Sequence, residues 1–384
     1  MKNIVKIKII GAGPTGLLLA LALSRFNTKI FINDLLSEEN LKSKDKTYAI
    51  THSSRKILEK FNLWNKLKSK ITSFDSLSIT DTIIDRNSIF NISDLDYDIR
   101  DNGNIGWVVK HSDLNQIFFE ELSRKNNIFF SSFLGNDSIS DKYDYTFACD
   151  GSSSLYRKTN KFLYFKKLYN HSCLTFKVFI RGYKEGRAYE LFRKEGPLAL
   201  LPLSKNVYQI IWTANSEVSK IRLNSNKNLL LDNLSTILPR EIHLDQIVGD
   251  INIFPVSLSF AFPDLNFKRH ILVGDALHTF HPVGGQGLNA CWRDVNSIYN
   301  LLNSNNGIKE FSLFTLKLRF YINRIADIFS LYLVTDSLIK LFANDYIFLL
   351  PLRKISFKFL NNFRLFRKLI INYMTKSISF KSLK

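Results

Sequence analysis

Cysteine is scarce: three residues, Cys149, Cys173 and Cys291, in a chain of 384. They are odd in number and far apart, which argues against a disulfide framework and for a reducing compartment. Proline is scarce too, at eight residues, and no Pro- or Gly-rich linker or internal repeat divides the chain. Long apolar runs free of charge are missing. The most apolar stretch of the C-terminal part, Ile325–Leu350, carries Asp327, Asp336, Lys340 and Asp345. A charge at the centre of a membrane helix costs roughly 2.5–3.5 kcal/mol on insertion scales, so no membrane span is expected. Acidic residues are in short supply, 34 against 53 basic ones, for a net charge of +19. That excess would suit nucleic acid, an anionic membrane or an acidic partner. Lys, Asn, Ile and Phe are abundant throughout, however, so compositional bias accounts for much of the charge. No zinc-ligand spacing and no ribonucleoprotein aromatic signature is present, and no nucleic acid is expected as a partner.

What is present reads as a folded chain of two packed units, with 45% hydrophobic residues. The N-terminal "MKNIVKIKIIGAGPTGLLLALALSRF" has the lysines and apolar run of a leader, but the glycines at 11, 13 and 16 interrupt the run. The pattern predicts a strand over Val5–Ile10, a helix over Pro14–Phe26 and a strand over Lys29–Asp34. This is a parallel βαβ unit with a right-handed crossover. A helix is expected around Ser53–Lys68, short strands over Leu77–Ile99, and a helix capped at Ser112 or Asp113. A strand is expected at Asp144–Asp150. From Ser172 to Val256 the pattern is strand-rich. His270–Asp275 reads as a strand again, and everything after Ser304 reads as helix.

Three short segments carry chemistry. Gly11-x-Gly13-x-x-Gly16 follows a strand and opens a helix. Gly11 permits the tight turn, Gly13 lets the backbone approach a pyrophosphate, and Gly16 permits close packing of helix on strand. The helix N-terminus offers free N–H groups to phosphate. Asp34, at the end of the second strand, is placed to accept from a ribose, and its charge disfavours a 2′-phosphate. "CDGSSSLYRK" (Cys149–Lys158) places Asp150-Gly151 at a turn, with Ser154 and Arg157 one helical turn apart; an ordinary capped helix start reads the same way. "GDALHTFHPVGGQGLNACWRDV" (Gly274–Val295) opens on an acid, Asp275, and carries two histidines and four glycines. Asp275, His278 and His281 lack a completing Cys or Glu, and Pro282 with Gly284-Gly285 marks a loop, so no metal is expected. A flat ring laid against bare backbone, with a helix dipole beginning at Leu288, fits more of these residues.

These three segments resemble, in order and spacing, the flavoprotein aromatic hydroxylases, the group that contains p-hydroxybenzoate hydroxylase. Within that group the chain is most similar to the ubiquinone-biosynthesis hydroxylases. "GWVVKHSDLNQ" (Gly106–Gln116), "AYELFRKEGPLALLPL" (Ala188–Leu203) and "TDSLIKLFAND" (Thr335–Asp345) extend the similarity over nearly the whole chain. The resemblance implies an α/β fold: a Rossmann-like FAD-binding domain with an inserted β-sheet substrate domain and a helical C-terminal region. The expected boundaries are 1–75, 104–170 and 265–305 for the FAD domain, 76–103 and 171–264 for the substrate domain, and 306–384 for the helices.

It further implies an FAD monooxygenase that hydroxylates a polyprenylated phenol in ubiquinone biosynthesis, with one atom of O2 delivered through a flavin C4a-hydroperoxide. NAD(P)H or another donor would act as transient reductant, since no second glycine motif is present. Carried onto this sequence, Gly11, Gly13 and Gly16 cradle the pyrophosphate and Asp34 holds the ribose. Asp150, Gly151, Ser154 and Arg157 form the Asp-Gly motif. Gly274 and Asp275 meet the ribityl–pyrophosphate region, and Pro282, Gly285, Gln286, Gly287, Leu288 and Asn289 line the isoalloxazine. Lys46 stands where the family has an arginine, and keeps the charge without the planar fork. His278, His281 and Pro282 are the candidate catalytic positions, loop-stabilising roles for the histidines being equally open. Two alternatives stay open: a hydroxylase of a soluble phenol, and a flavin-binding, non-catalytic assembly protein.

From Tyr346 to Lys384 there are nine basic residues and no acidic one. Leu352, Ile355, Phe359, Phe363, Phe366, Ile370 and Tyr373 recur at helical steps, with Arg353, Lys354, Arg364, Arg367 and Lys368 opposite. The pattern predicts a basic amphipathic helix near 351–375, either lying on an anionic membrane surface or packed on the core. With a lipid-tailed substrate, the expectation is a cytoplasmic protein attached peripherally to the inner membrane, within reach of a ubiquinone-biosynthesis complex.

Overall fold

The computed structural model describes residues 4–100, 103–132, 143–264, 269–304 and 313–376. Two sheets dominate it. The first is parallel and five-stranded, in the order His270–Leu272, Tyr145–Ala148, Val5–Ile10, Thr28–Asp34, Ile128–Ser132. Its middle strand is the one that delivers the chain into the glycine turn, as in nucleotide-binding α/β sheets. The helix after the turn, Pro14–Leu23, is apolar on all sides and almost wholly buried. It packs between His111–Ser123 and Gly287–Asn303, which is why its sequence shows no polar face. Pro14 occupies its first turn, where a missing N–H does no harm.

The second sheet has eight strands and is mostly antiparallel, in the order 278–279, 243–261, 164–181, 207–215, 198–202, 187–192, 76–81, 86–91. Its two long strands, Tyr164–Arg181 and His243–Ala261, pair along most of their length with register shifts. A small third sheet joins Thr47–Ile50, Gly106–Lys110 and Ile71–Phe74. Segment 278–279 pairs with the end of the long strand at Ser259–Phe260. The histidine-containing loop is therefore stitched to both large sheets.

Several sequence expectations change in detail. The helix around 53–68 is two helices, His52–Lys60 and Trp64–Leu67. Asn62, with φ 61°, turns the chain between them. A short helix, Tyr97–Arg100, ends the stretch expected as strands, and the helix expected from a Ser112 or Asp113 cap begins at His111. The strand-rich middle is interrupted by helices Ser216–Leu223 and Lys227–Ser235, whose starts are capped by Asn215 and Asn226 accepting from Glu217 N and Asn228 N.

The C-terminal helix is broken at Phe363 into Leu350–Asn362 and Arg364–Lys376. Its orientation is the larger correction. Arg353, expected in solvent, is fully buried, donates to Leu341 O and Asn344 O, and faces Asp81 at 3.7 Å. Arg367, Lys368 and Lys376 reach Asp94 and Asp96. Phe357, Leu360 and Ile371 turn inward, while Leu352, Ile355, Phe359, Phe363 and Phe366 are exposed.

Candidate flavin and substrate site

Between the end of the first strand and the Asp-Gly turn lies a cleft of about 780 Å³, lined by Gly11, Gly13, Asp34, Lys44, Cys149, Asp150, Gly151 and Tyr156, among others. Its geometry shows why glycine stands at each motif position. Gly11 has φ +101°, and a Cβ there would sit 2.4 Å from Cys149 O. A Cβ on Gly16 would sit 1.9 Å from Gly11 O. Both glycines are demanded by the crossing of strand, turn and helix. A Cβ on Gly13 would meet nothing within 4 Å, so space rather than contact lies over that backbone, as a phosphate would need. Asp34 accepts from Ala12 N at 2.7 Å and from Leu36 N at 2.9 Å. It thus ties the glycine turn to the second strand and retains lone pairs for a ribose.

Asp150 accepts from Tyr156 N at 3.0 Å, and its buried Oδ1 has no partner among the described residues. An orphaned acceptor lining the cleft suits a hydroxyl-bearing ligand. Gly151 has φ +85°. Arg157 does not face the cleft. Its guanidinium donates to Ala276 O at 2.6 Å and Ser152 O at 2.7 Å and lies over the Tyr164 ring. It clamps the Asp-Gly turn, whose Ser154 caps the helix by accepting from Arg157 N, to the Gly274–Ala276 turn.

Segment 41–51 runs from this cleft to a second one. Midway, Asp275 raises the pKa of the Lys46 ammonium, but desolvation is the larger effect and lowers it. The residue as a whole is exposed, while its ammonium sits over the Phe254 ring at 4.9 Å. Asp275 itself is exposed and accepts from the Cys291 thiol at 3.3 Å.

The second cavity, about 460 Å³, is predominantly apolar. Pro282–Gln286 form part of its wall, joined by Thr51, Leu77, Phe90, Glu190 and Tyr373. Gly284 and Gly285 have φ +72° and +62°, so the loop exposes bare backbone in a conformation that side chains resist. The loop is braced on both sides. Asn289 donates to Ala49 O and Gly285 O and accepts from Thr51 N, Thr51 Oγ1 and Ser54 Oγ. Gln286 donates to Gly284 O and, at 3.1 Å, to Met374 O of the last helix. Gly287 opens the helix Gly287–Asn303, and Leu288 packs against the core.

The two histidines do different work from a proton relay in this cavity. His278 is fully buried and its Nε2 lies 2.8 Å from Asp294 Oδ2. Asp294 also accepts from Gly274 N and from Arg324, which in turn binds Asp327. Burial works to raise the Asp294 carboxyl, but His278 and Arg324 hold it below the usual range. This network fixes the Gly274–Ala276 turn from behind. His281 accepts from Val283 N through Nδ1 at 3.2 Å and meets Tyr169 edge-on. Burial pushes it down to about 3, so it stays neutral and props the loop. Pro282 alone of the three candidate catalytic positions touches the cavity.

Residues 141–305 match the family model described as an FAD binding domain. The mitochondrial ubiquinone biosynthesis monooxygenase COQ6 of Dictyostelium discoideum is 23% identical over 96% of this chain and 90% of its own. An uncharacterised protein of Synechocystis is 26% identical over 97% and 93%. The chain is an FAD-dependent monooxygenase, similar over nearly its whole length to COQ6. Among solved structures, p-nitrophenol 4-monooxygenase of Pseudomonas putida superposes with a TM-score of 0.77 at 15% identity, covering 97% of each chain. HpxO of Klebsiella pneumoniae, solved with FAD and uric acid, gives 0.73 at 16%, covering 99% and 98%. The monooxygenase therefore has the p-hydroxybenzoate hydroxylase-like fold. Its cofactor is FAD.

Sequence reasoning missed three contributors. Asp294 lay in the quoted motif but reads as a helix residue. Glu190 lay in "AYELF", where its alternation with Ala188 and Phe192 puts it on their face of the strand. The last helix closes the cavity through Ile370, Tyr373 and Met374; its pattern fits a membrane surface or the core equally and does not tie it to the glycine loop.

Proposed function

We propose that this monooxygenase hydroxylates the ring of a polyprenylated phenol in ubiquinone biosynthesis, working from the surface of an anionic membrane. The observation that carries the reading is the apolar cavity beside the glycine loop, which reaches the outer surface at Leu369. A ring placed against Pro282–Gln286 would have an apolar exit for its tail between the last two helices. Those helices present Leu352, Ile355, Phe359, Phe363 and Phe366 to the outside. No helix among the described residues is long and apolar enough to cross a membrane, which leaves contact from one side. Because Arg353 and Arg367 are committed to internal partners, attachment rests more on apolar insertion than on charge, with the net charge of +19 as a general attraction.

FAD, when bound and reduced by NAD(P)H, supplies the activation of O2. The chain does the rest. The N–H of Gly13 and those in the first turn of Pro14–Leu23 take the pyrophosphate, Asp34 the ribose, and Asp150 and Asp275 the polyol region. Pro282–Gly287 hold the ring by backbone alone, braced by Asn289 and Gln286. The apolar cavity keeps water from the reacting atoms.

The purified protein with FAD, NAD(P)H and a short-tailed polyprenyl phenol should consume reductant only when the phenol is present, and yield product heavier by one oxygen. A gene deletion should accumulate the quinone precursor that lacks one ring hydroxyl. Flavin bound without phenol-dependent turnover under any electron donor would overturn the reading in favour of a non-catalytic flavoprotein.

A further inference from the structure

We propose that Glu190 is the catalytic acid–base residue that takes the proton of the substrate's phenol hydroxyl. The proposal rests on the hydroxylase reading above. Glu190 lies on strand Arg187–Phe192, between Leu198–Pro202 and Ser76–Asp81, opposite Ala199 and Ile79. Ala188, Glu190 and Phe192 alternate onto the cavity side of the strand, as do Leu77 and Ile79, Ala199 and Leu201 on its neighbours. Among the described residues that line the cavity, Glu190 is the one carboxylate. The remaining polar side chains there are Thr51, Gln286, Tyr373 and Thr375, and all four are engaged: Thr51 with Asn289, Gln286 with Met374 O, Tyr373 with Ser330, Thr375 with Ile371 O. A carboxyl on the apolar wall of a substrate cavity is costly without a ligand to meet it.

Burial pushes the Glu190 carboxyl up to about 8. That brings it far closer to a phenol, near 10, than an ordinary carboxylate near 4.3, and matched proton affinities favour transfer. The other titratable groups on packed elements do not compete. The Cys173 thiol is pushed up to about 12 by burial and stays neutral. Burial also raises Tyr373. Asp81 faces Arg353, Asp336 is held by Lys167, Lys340 and Tyr169, and His281 is neutral. In the step, the phenol O–H bond breaks, its proton moves to a Glu190 oxygen, and the electron pair stays on the phenol oxygen. The ring becomes richer in electrons and so a better acceptor for electrophilic oxygen. When the hydroxylated carbon releases its hydrogen as a proton to solvent, Glu190 returns its own proton to the phenol oxygen, so the residue ends as it began.

Two measurements on the FAD-loaded protein test this. In the first, kcat/KM of wild type should rise with pH and level off near 8. Glu190→Gln should lose roughly 10²–10⁴-fold in kcat with KM and flavin content little changed and the pH rise gone, and Glu190→Asp should recover part of it. In the second, binding of the phenol is compared with binding of its methyl ether, which has no proton to offer. Above pH 8 the ether's affinity should fall about tenfold per pH unit while the phenol's holds, and in Glu190→Gln the two should run parallel. Turnover by Glu190→Gln within about threefold of wild type, or ether and phenol tracking each other in wild type, overturns the assignment. If the wild type shows the expected binding contrast yet never hydroxylates, the enzyme reading falls and the acid–base role falls with it.

Discussion

Gly11 and Gly13 are two residues apart and answer to different demands. A Cβ on Gly11 would strike Cys149 O, and its φ of +101° lies where side chains rarely go. Gly11→Ala is expected to cost on the order of 2 kcal/mol or more in the protein freed of FAD, read as a lower midpoint in urea. A Cβ on Gly13 meets nothing of the protein. Gly13→Ala should leave that midpoint in place and still lower flavin retention, since the methyl group would occupy the approach to the pyrophosphate. Absorbance at flavin wavelengths after gel filtration separates the two; equal loss of stability in both variants would contradict the assignment of space to Gly13. These positions were legible because a strand, a turn and a helix impose their own spacing. Glu190 was not, because a single charge in a strand reads as a solvent face until the neighbouring strands show what lies over it.

At the scale of the element, the C-terminal pair of helices shows what periodicity can and cannot say. The sequence carries apolar residues at two phases: Leu352, Ile355 and Phe359 on one, Phe357 and Leu360 on the other. Pattern alone detects the helix but not which phase meets the protein. The deciding contact is non-local, between Arg353 and Asp81 of a strand some 270 positions earlier. Both groups are almost fully buried, so Arg353→Leu should strand a buried carboxylate and cost about 3–5 kcal/mol, measured by chemical denaturation. The outer phase makes the opposite prediction. Phe359 and Phe366 are 45% and 40% exposed, so Phe359→Glu with Phe366→Glu should shift stability little while abolishing flotation with anionic liposomes. Unchanged flotation would remove these helices from the membrane proposal.

The whole molecule has a pH signature that the separate sites combine to set. Burial pushes His52 and His111 down to about 4 and His281 to about 3. Each is neutral in the fold and would take a proton near pH 6.5 when unfolded. Their stabilisation is complete above pH 6.5 and is lost as pH falls from there towards 4, because the unfolded chain binds the extra protons. A tenfold difference in proton affinity is worth about 1.4 kcal/mol, so three such groups are large beside a total of roughly 5–15 kcal/mol. Glu190 acts with the opposite sign. Its carboxyl, raised to about 8, remains protonated in the fold where the unfolded chain has released the proton. It therefore removes stability as pH rises from about 4.5 to 8. The carboxylates held below their usual range, Asp294 and Asp336 among them, enter only below about pH 4. Between 4.5 and 6.5 three histidines outweigh one glutamate, and between 6.5 and 8 the glutamate acts without them. The protein freed of flavin should be most stable near pH 6.5, with urea midpoints falling on both sides. Glu190→Gln should flatten the alkaline side and steepen the acid side between about 4.5 and 6.5, where the glutamate no longer offsets the histidines, whereas an alkaline slope that survives this substitution would mean that the carboxyl is not held protonated in the apolar wall.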